Sequence, residues 1–290
     1  GLRLKKLREQ VIVLTGATSG IGLATARMAS RRGARLVLAA RSEEELQQLT
    51  EEIQLQGGEA VYMVADVGDE AQVRNIVAAA NEAFGGFDTW INNAGIATYG
   101  PILDVPMQDH RRVFKTNFWG VVYGSVEAAL AIGQQQREIG AAIINVGSEV
   151  SDRAVPLIGI YSASKHAVKG FTDALRMELE KNGDPIVVTL VKPGATNTPF
   201  PEHAKNYMEQ EPQLPAPIYA PEVVAETILH CAENPTRDVF VGASAKRNSS
   251  QGYFLPRLVD WIMEALYFDK QKSGQPARRK RDALATASHD

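Results

Sequence analysis

Cysteine is nearly absent: Cys231 is the only one among 290 residues. An intrachain disulfide is therefore impossible, and zinc sites built on several thiolates are excluded. The histidines (His110, His166, His203, His230 and His289) show no H-E-x-x-H or comparable spacing. Each reads as structural or solvated, and no metal is expected. No apolar stretch is long enough to cross a bilayer, and the opening G-L-R-L-K-K-L-R-E-Q lacks the apolar run of a signal peptide. A strong charge of one sign is also missing. The net charge is −3, so no nucleic-acid partner is expected. These absences describe a soluble, cytoplasmic protein of a reducing compartment. Hydrophobic residues make up 44% of the chain, enough for a sizeable core without covalent staples. One α/β domain over residues 1–245 is expected, followed by a C-terminal extension, 246–290.

Val11–Leu14 is a short apolar run that ends in T-G-A-T-S-G-I-G, Thr15 to Gly22, and a helical stretch follows over Leu23–Arg32. Strand, glycine loop and helix together read as a phosphate-binding turn, the alternative being a bare glycine turn. Gly16 allows the tight turn, Gly20 lets backbone approach a pyrophosphate, and Gly22 permits close helix–strand contact. The helix N-terminus then offers N–H groups to the phosphate. The spacing is G-x-x-x-G-x-G, and no Lys-Ser or Lys-Thr follows, so this is not a P-loop.

The next strand, Arg35–Ala40, ends in Arg41 and Ser42 where an acid would bind a ribose 2′-hydroxyl. Arg41 can hold a 2′-phosphate bidentately, with Ser42 adding a hydroxyl; alternatively the arginine faces solvent. NADP(H) is therefore expected over NAD(H). Helix Glu43–Gln56 and strand Ala60–Ala65 lead to Asp66-Val67. The Asp66 carboxylate could accept from an adenine amino group or cap the helix beginning near Asp69.

Helix Glu70–Phe84 and strand Thr89–Ile91 precede N-N-A-G, Asn92 to Gly95, whose amides could bind ribose or tie strands together. A helix over Gln108–Gln136 carries Asn117, and strand Ala142–Gly147 delivers Ser148. In the helix Tyr161–Lys181, Tyr161 and Lys165 are four residues apart and so share a face. A nearby fixed cation lowers a phenol's pKa, which would make Tyr161 a usable proton donor or acceptor. Strand Ile186–Val191 ends in P-G-A-T-N-T, Pro193 to Thr198. Strands alternating with helices argue for a doubly wound parallel sheet of α/β class, with ligands bound outside the strands' carboxyl ends.

These motifs (T-G-A-T-S-G-I-G, N-N-A-G, Asn117, Ser148, Y-S-A-S-K and P-G-A-T-N-T) stand in the order seen in the short-chain dehydrogenase/reductase family, which the chain resembles over about Val11 to Gly242. The resemblance implies a Rossmann sheet of about seven strands and a catalytic tetrad, Asn117, Ser148, Tyr161 and Lys165. It also implies hydride transfer between a nicotinamide cofactor and a carbinol or carbonyl carbon. Tyr161 would move the proton, Ser148 would stabilise the substrate oxygen, and Lys165 would tune Tyr161 and bind the ribose. Asn117 would hold a water between Lys165 and solvent. Gly16, Thr18, Ser19, Gly20, Ile21, Gly22, Arg41, Ser42, Asp66, Val67, Asn93, Ala94, Gly95, Pro193, Gly194, Thr196 and Thr198 complete the expected cofactor site. The implied assembly is a homodimer or homotetramer.

The remaining features are weaker. Ser162-Ala-Ser-Lys165 matches S-x-x-K formally, but no K-T-G follows, and the Asn248-Ser-Ser sequon lacks a secretory context. The proline-rich Thr198–Pro221 reads as a mobile flap over the substrate. Ile96, Val150, Val155, Leu157 and Ile158 form an apolar substrate wall or simply pack the loops together. Leu255–Leu266 is an amphipathic helix that packs on its own core or a second subunit; membrane docking fits its acidic face poorly. The tail Lys270–Asp290, with Arg278–Arg281, reads as solvated and flexible. An NADP(H)-dependent oxidoreductase of a small, apolar carbonyl or alcohol is the expected function. A nicotinamide-binding sensor without turnover is the alternative.

Overall fold

Val11–Thr15 (β1) is buried along its whole length, as a strand must be when helices cover both faces of its sheet. The structure, a computed structural model, describes residues 2–135, 139–242, 268–277 and 282–284. After β1 come helix Gly20–Arg31 (α1), strand Arg35–Ala40 (β2), helix Glu43–Leu55 (α2), strand Ala60–Val64 (β3), helix Glu70–Phe84 (α3) and strand Thr89–Asn92 (β4). The second half adds helices Met107–Phe114 (α4) and Gly120–Gly133 (α5), strand Ala141–Val146 (β5), helix Gly159–Asn182 (α6) and strand Ile186–Pro193 (β6). Helices Phe200–His203 (α7) and Pro221–Glu233 (α8) and strand Asp238–Val241 (β7) complete it.

The seven strands form one parallel sheet in the order β7-β6-β5-β4-β1-β2-β3. The order reverses between β1 and β4, and such a switch point opens a crevice at the carboxyl ends of the strands. Alternate side chains feed opposite faces. Ile12 and Leu14 pack with residues of α1, α2 and α8, whereas Val11 and Val13 pack with residues of α3 and α5.

Local signals set several boundaries. Asp69 caps α3 by accepting from Ala71 N and Gln72 N, and Gly85 ends that helix with a left-handed φ of 72°. Asp66 is therefore not the cap. α1 begins at Gly20, inside the glycine loop, rather than at Leu23. The single helix expected over Gln108–Gln136 is also corrected: a π-helical turn, Lys115–Trp119, separates α4 from α5. Such widened turns often mark functional sites, and this one carries Asn117.

A buried amide network ties the sheet to its helices. Trp90 Nε1 donates to Asn92 Oδ1 at 2.8 Å, and Asn92 Nδ2 donates to Ser125 Oγ at 3.0 Å and to Asn145 Oδ1 at 2.8 Å. Asn145 Nδ2 in turn reaches Thr172 Oγ1 on α6 at 2.9 Å. Each group satisfies another, which is what makes burial of so many polar atoms tolerable.

The expected solvated tail is corrected where residues are described. Lys272–Pro276 pairs antiparallel with Gln210–Pro212 of the flap, and Gln271 and Leu284 are only 2% and 3% exposed. The expected helix Leu255–Leu266, the sequon at Asn248 and the Arg278–Arg281 cluster lie outside the described residues. Among the described residues, no helix is long and apolar enough to cross a membrane.

Candidate active site

One groove runs along the carboxyl ends of the strands and collects the expected residues from distant parts of the chain. The glycine loop, Arg41, Asp66, Asn93, Ser148, Tyr161, Lys165, Gly194 and Thr198 all line it. Of the residues expected at the site, Gly22 and Asn117 lie off its wall. Gly22 acts from behind. A Cβ there would stand 1.9 Å from Gly16 O, so only glycine lets α1 press against the loop. Gly16 itself has a φ of +65°, and its Cβ would come within 2.8 Å of Ala94 Cα. The loop is thus a close-fitting backbone cradle leading into the N-terminus of α1, the chemistry that suits a pyrophosphate.

Asn93 closes this cradle. Its Nδ2 donates to Thr15 O and Gly16 O, both at 3.1 Å, so the side chain ties the end of β4 to the end of β1. Of the two roles open to this asparagine amide, the strand tie is the one its contacts display.

At the tip of β2, Arg41 Nη1 is buried without a hydrogen-bond partner among the described residues, and Ser42 caps α2 by accepting from Glu45 N. Asp66 Oδ2 pairs with Arg112 Nη2 at 2.7 Å, and its Oδ1 accepts from Gly68 N at 2.9 Å. Burial opposes the Asp66 charge, but these donors hold its carboxyl below the usual carboxylate range. An orphaned guanidinium nitrogen beside a groove fits an added anionic group such as a phosphate. The residues present therefore fit a dinucleotide.

Ser148, just after β5, and Tyr161, on α6, line the same groove, and the Ser148 hydroxyl favours the ionised form of the Tyr161 phenol. Ser148 is placed by its own turn, where its Oγ accepts from Val150 N at 3.3 Å. Lys165 Nζ donates to Val146 O at 2.8 Å. Its ammonium lies 5.7 Å from the centre of the Tyr161 ring, and burial pushes its pKa down to about 8. Burial also pushes the Tyr161 phenol up to about 12, against the lowering by Ser148, and the Glu149 charge adds to the rise. This reverses the direction expected from the Tyr–Lys spacing. Loss of hydration is the largest influence on the phenol and outweighs the factors that favour its charged form.

Asn117 is fully engaged. Its Oδ1 accepts from Ile96 N at 2.9 Å, and its Nδ2 donates to Ile96 O at 2.9 Å and to Ser164 Oγ at 3.1 Å. The side chain pins the loop after β4 to α6, leaving no amide hydrogen for a water.

Residues that the motifs did not indicate also face the groove. Tyr99 lies beside Tyr161, its phenol pushed up by burial and by that neighbour. Phe200 of the flap packs on Tyr161 with ring centres 5.3 Å apart. Gln271 and Ala283 line the groove from the C-terminal segment. The flap has structure of its own: Lys205 Nζ reaches Asp109 Oδ2 at 2.8 Å, and Tyr207 hydroxyl donates to the same carboxylate. No group of three His, Cys, Asp or Glu among the described residues could hold a metal ion.

A short chain dehydrogenase family model matches residues 10–209. The chain belongs to the short-chain dehydrogenase/reductase family. Among relatives of this short-chain dehydrogenase/reductase, it is 46% identical over 288 residues to a Bacillus subtilis (strain 168) protein named Uncharacterized oxidoreductase YxnA, covering 99% of this chain and 80% of that one. It is 31% identical over 280 residues to 11-beta-hydroxysteroid dehydrogenase A of Sesamum indicum, covering 93% and 78%. A short-chain dehydrogenase/reductase from Burkholderia phymatum, solved in complex with NAD, superposes with a TM-score of 0.79 at 26% identity, over 88% of this chain and 97% of that one. The short-chain dehydrogenase/reductase described here is accordingly an NAD(P)-dependent oxidoreductase.

Proposed function

We propose that the protein is an NADP(H)-preferring reductase of a small, apolar carbonyl compound. The observation that carries this reading is the meeting in one groove of Ser148, Tyr161 and Lys165 with Arg41. One end of the groove holds a proton donor and the other an unsatisfied guanidinium nitrogen. The hydride is what a reduced nicotinamide supplies when bound.

The chain's own residues handle the oxygen. With its pKa near 12, Tyr161 is a neutral phenol at physiological pH, the state needed to give a proton to a carbonyl oxygen. Ser148 donates to that oxygen as negative charge develops on it, an oxyanion-type contribution. Lys165, fixed by Val146 O, holds positive charge beside the tyrosinate that remains. Val155, Ile158 and Phe200 present apolar surface to the same groove, which supports an apolar substrate. Arg41 supports NADP(H), because a 2′-phosphate satisfies the buried Nη1 and a bare 2′-hydroxyl leaves its charge unmatched.

The test is oxidation of NADPH and NADH against a panel of aldehydes and ketones, in wild type and Tyr161→Phe. NADPH-dependent turnover that disappears in the variant is expected. Faster turnover with NADH would overturn the cofactor assignment. Tight NADPH binding without turnover on any carbonyl would favour a sensor.

A further inference from the structure

Two successive backbone carbonyls near the C-terminus meet two neighbouring guanidinium groups. Ala283 O accepts from Arg41 Nη2 at 2.6 Å, and Leu284 O accepts from Arg112 Nε at 2.8 Å. We propose that Ala283 and Leu284 form a strap that completes the adenosine end of the cofactor site, acting as positioning residues for Arg41 and Arg112. The inference rests on the NADP(H) reading above.

The two arginines need such a device. Arg41 and Arg112 carry like charges close together, and each long side chain gains by swinging into water. Arg112 is held at Nη2 by Asp66, at 2.7 Å, and at Nε by Leu284 O. Arg41 has no carboxylate partner in a salt bridge among the described residues, and Ala283 O holds its Nη2 edge. A guanidinium is planar, so fixing Nη2 also fixes where Nη1 points. Nη1 is the nitrogen left buried without a partner. Burial and the Arg112 charge weaken the hold of Arg41 on its proton, with Asp66 opposing them. Arg41 lines the groove, with Arg112 close by on Asp66, and a guanidinium so held suits a doubly charged phosphate monoester.

The strap is anchored by contacts independent of the arginines. Leu284 is 3% exposed and packs with Ile96, Val113 and Ile160. Ala283 N donates to His203 O at 2.8 Å, joining the strap to the flap beside Tyr161. Upstream, Gln271 Nε2 donates to Pro156 O at 2.6 Å. The strap thus crosses from the substrate flap to the tip of β2, with the groove lined by Ala283 between them.

The experiment measures dissociation constants of NADPH and NADH for the full chain and for Leu284→Asp, Leu284→Met, Arg41→Ala and the double variant Arg41→Ala/Leu284→Asp. Leu284→Asp places a charge where an apolar anchor is buried, and is expected to weaken NADPH about tenfold while NADH stays within about twofold. Leu284→Met should retain wild-type discrimination. In the Arg41→Ala background, Leu284→Asp should cost less than in wild type, because only Arg112 is then left for the strap to position. If Leu284→Asp does not fold, Leu284→Ala in the full chain takes its place with the same expectation. Tighter NADPH binding on strap removal would overturn the inference, showing a plug. Equal loss for both cofactors, or an undiminished effect in the Arg41→Ala background, would overturn it in favour of a general structural role. Arg41-dependent NADPH preference that Leu284→Asp leaves unchanged would defeat the strap alone. A wild type that binds NADH as tightly as NADPH would defeat the cofactor reading and the strap with it.

Discussion

Lys165 Nζ stands 5.7 Å from the centre of the Tyr161 ring while donating to Val146 O at 2.8 Å. Four-residue spacing on α6 places the two side chains together, and the edge of β5 decides where the ammonium is tethered. Burial of that ammonium has a measurable consequence for stability.

A lysine whose pKa is near 8 when folded and near 10.5 when unfolded is charged in both states below pH 8. There the full penalty of burying the charge is felt. Between pH 8 and 10.5 the unfolded chain binds more protons, so this group's contribution to stability rises with pH. Lys165→Met should therefore be more stable than wild type at pH 7, by up to about 3 kcal/mol. Its advantage should shrink as pH approaches 10, while turnover is lost at every pH. Urea unfolding of both proteins across pH 7–10 checks this; an advantage that grows with pH would contradict it.

On the proposed reading, Tyr161→Phe removes the proton donor to the substrate oxygen. Turnover should fall by at least about 100-fold. NADPH affinity should change little, because the lost hydroxyl is no part of the glycine cradle. Stopped-flow turnover beside fluorescence titration separates the two effects.

Arg41→Asp should invert the cofactor preference. The new carboxylate repels a 2′-phosphate and accepts from a 2′-hydroxyl, so NADPH affinity should drop by about 100-fold or more as NADH affinity holds or improves. Paired titrations with both cofactors provide the check.

Two glycines should respond to alanine in opposite directions. At Gly22 the added Cβ meets Gly16 O at 1.9 Å, so Gly22→Ala should cost about 3 kcal/mol or more and weaken dinucleotide binding. At Gly170, on α6, nothing lies within 4 Å. Gly170→Ala should stabilise by about 0.5–1 kcal/mol through helix propensity alone. Thermal melts of both variants test the contrast.

Much of this architecture is legible from local chemistry. Strand Arg35–Ala40 and helix Glu70–Phe84 have the boundaries that their apolar run and flanking Asp69 and Gly85 imply. These signals act within one or two turns of chain. The glycine loop, Arg41, Ser148, Tyr161 and Lys165 could be gathered because a doubly wound parallel sheet sends every strand's carboxyl end to the same edge.

Other features had no local signal. The π turn carries Asn117, whose side chain bonds Ile96 from the loop after β4. The rise in the Tyr161 pKa depends on how much water the folded chain removes, and residue spacing does not measure that. Arg112 and the strap are harder still to foresee. Ala283 and Leu284 act through backbone carbonyls, which every residue type carries alike. Residue identity thus settles the sheet, its order of elements and which side chains are candidates for the reaction, because those follow from short-range pattern and side-chain chemistry. The folded chain settles which charges are desolvated and which carbonyls meet which guanidinium groups, because those depend on distances between segments far apart in sequence.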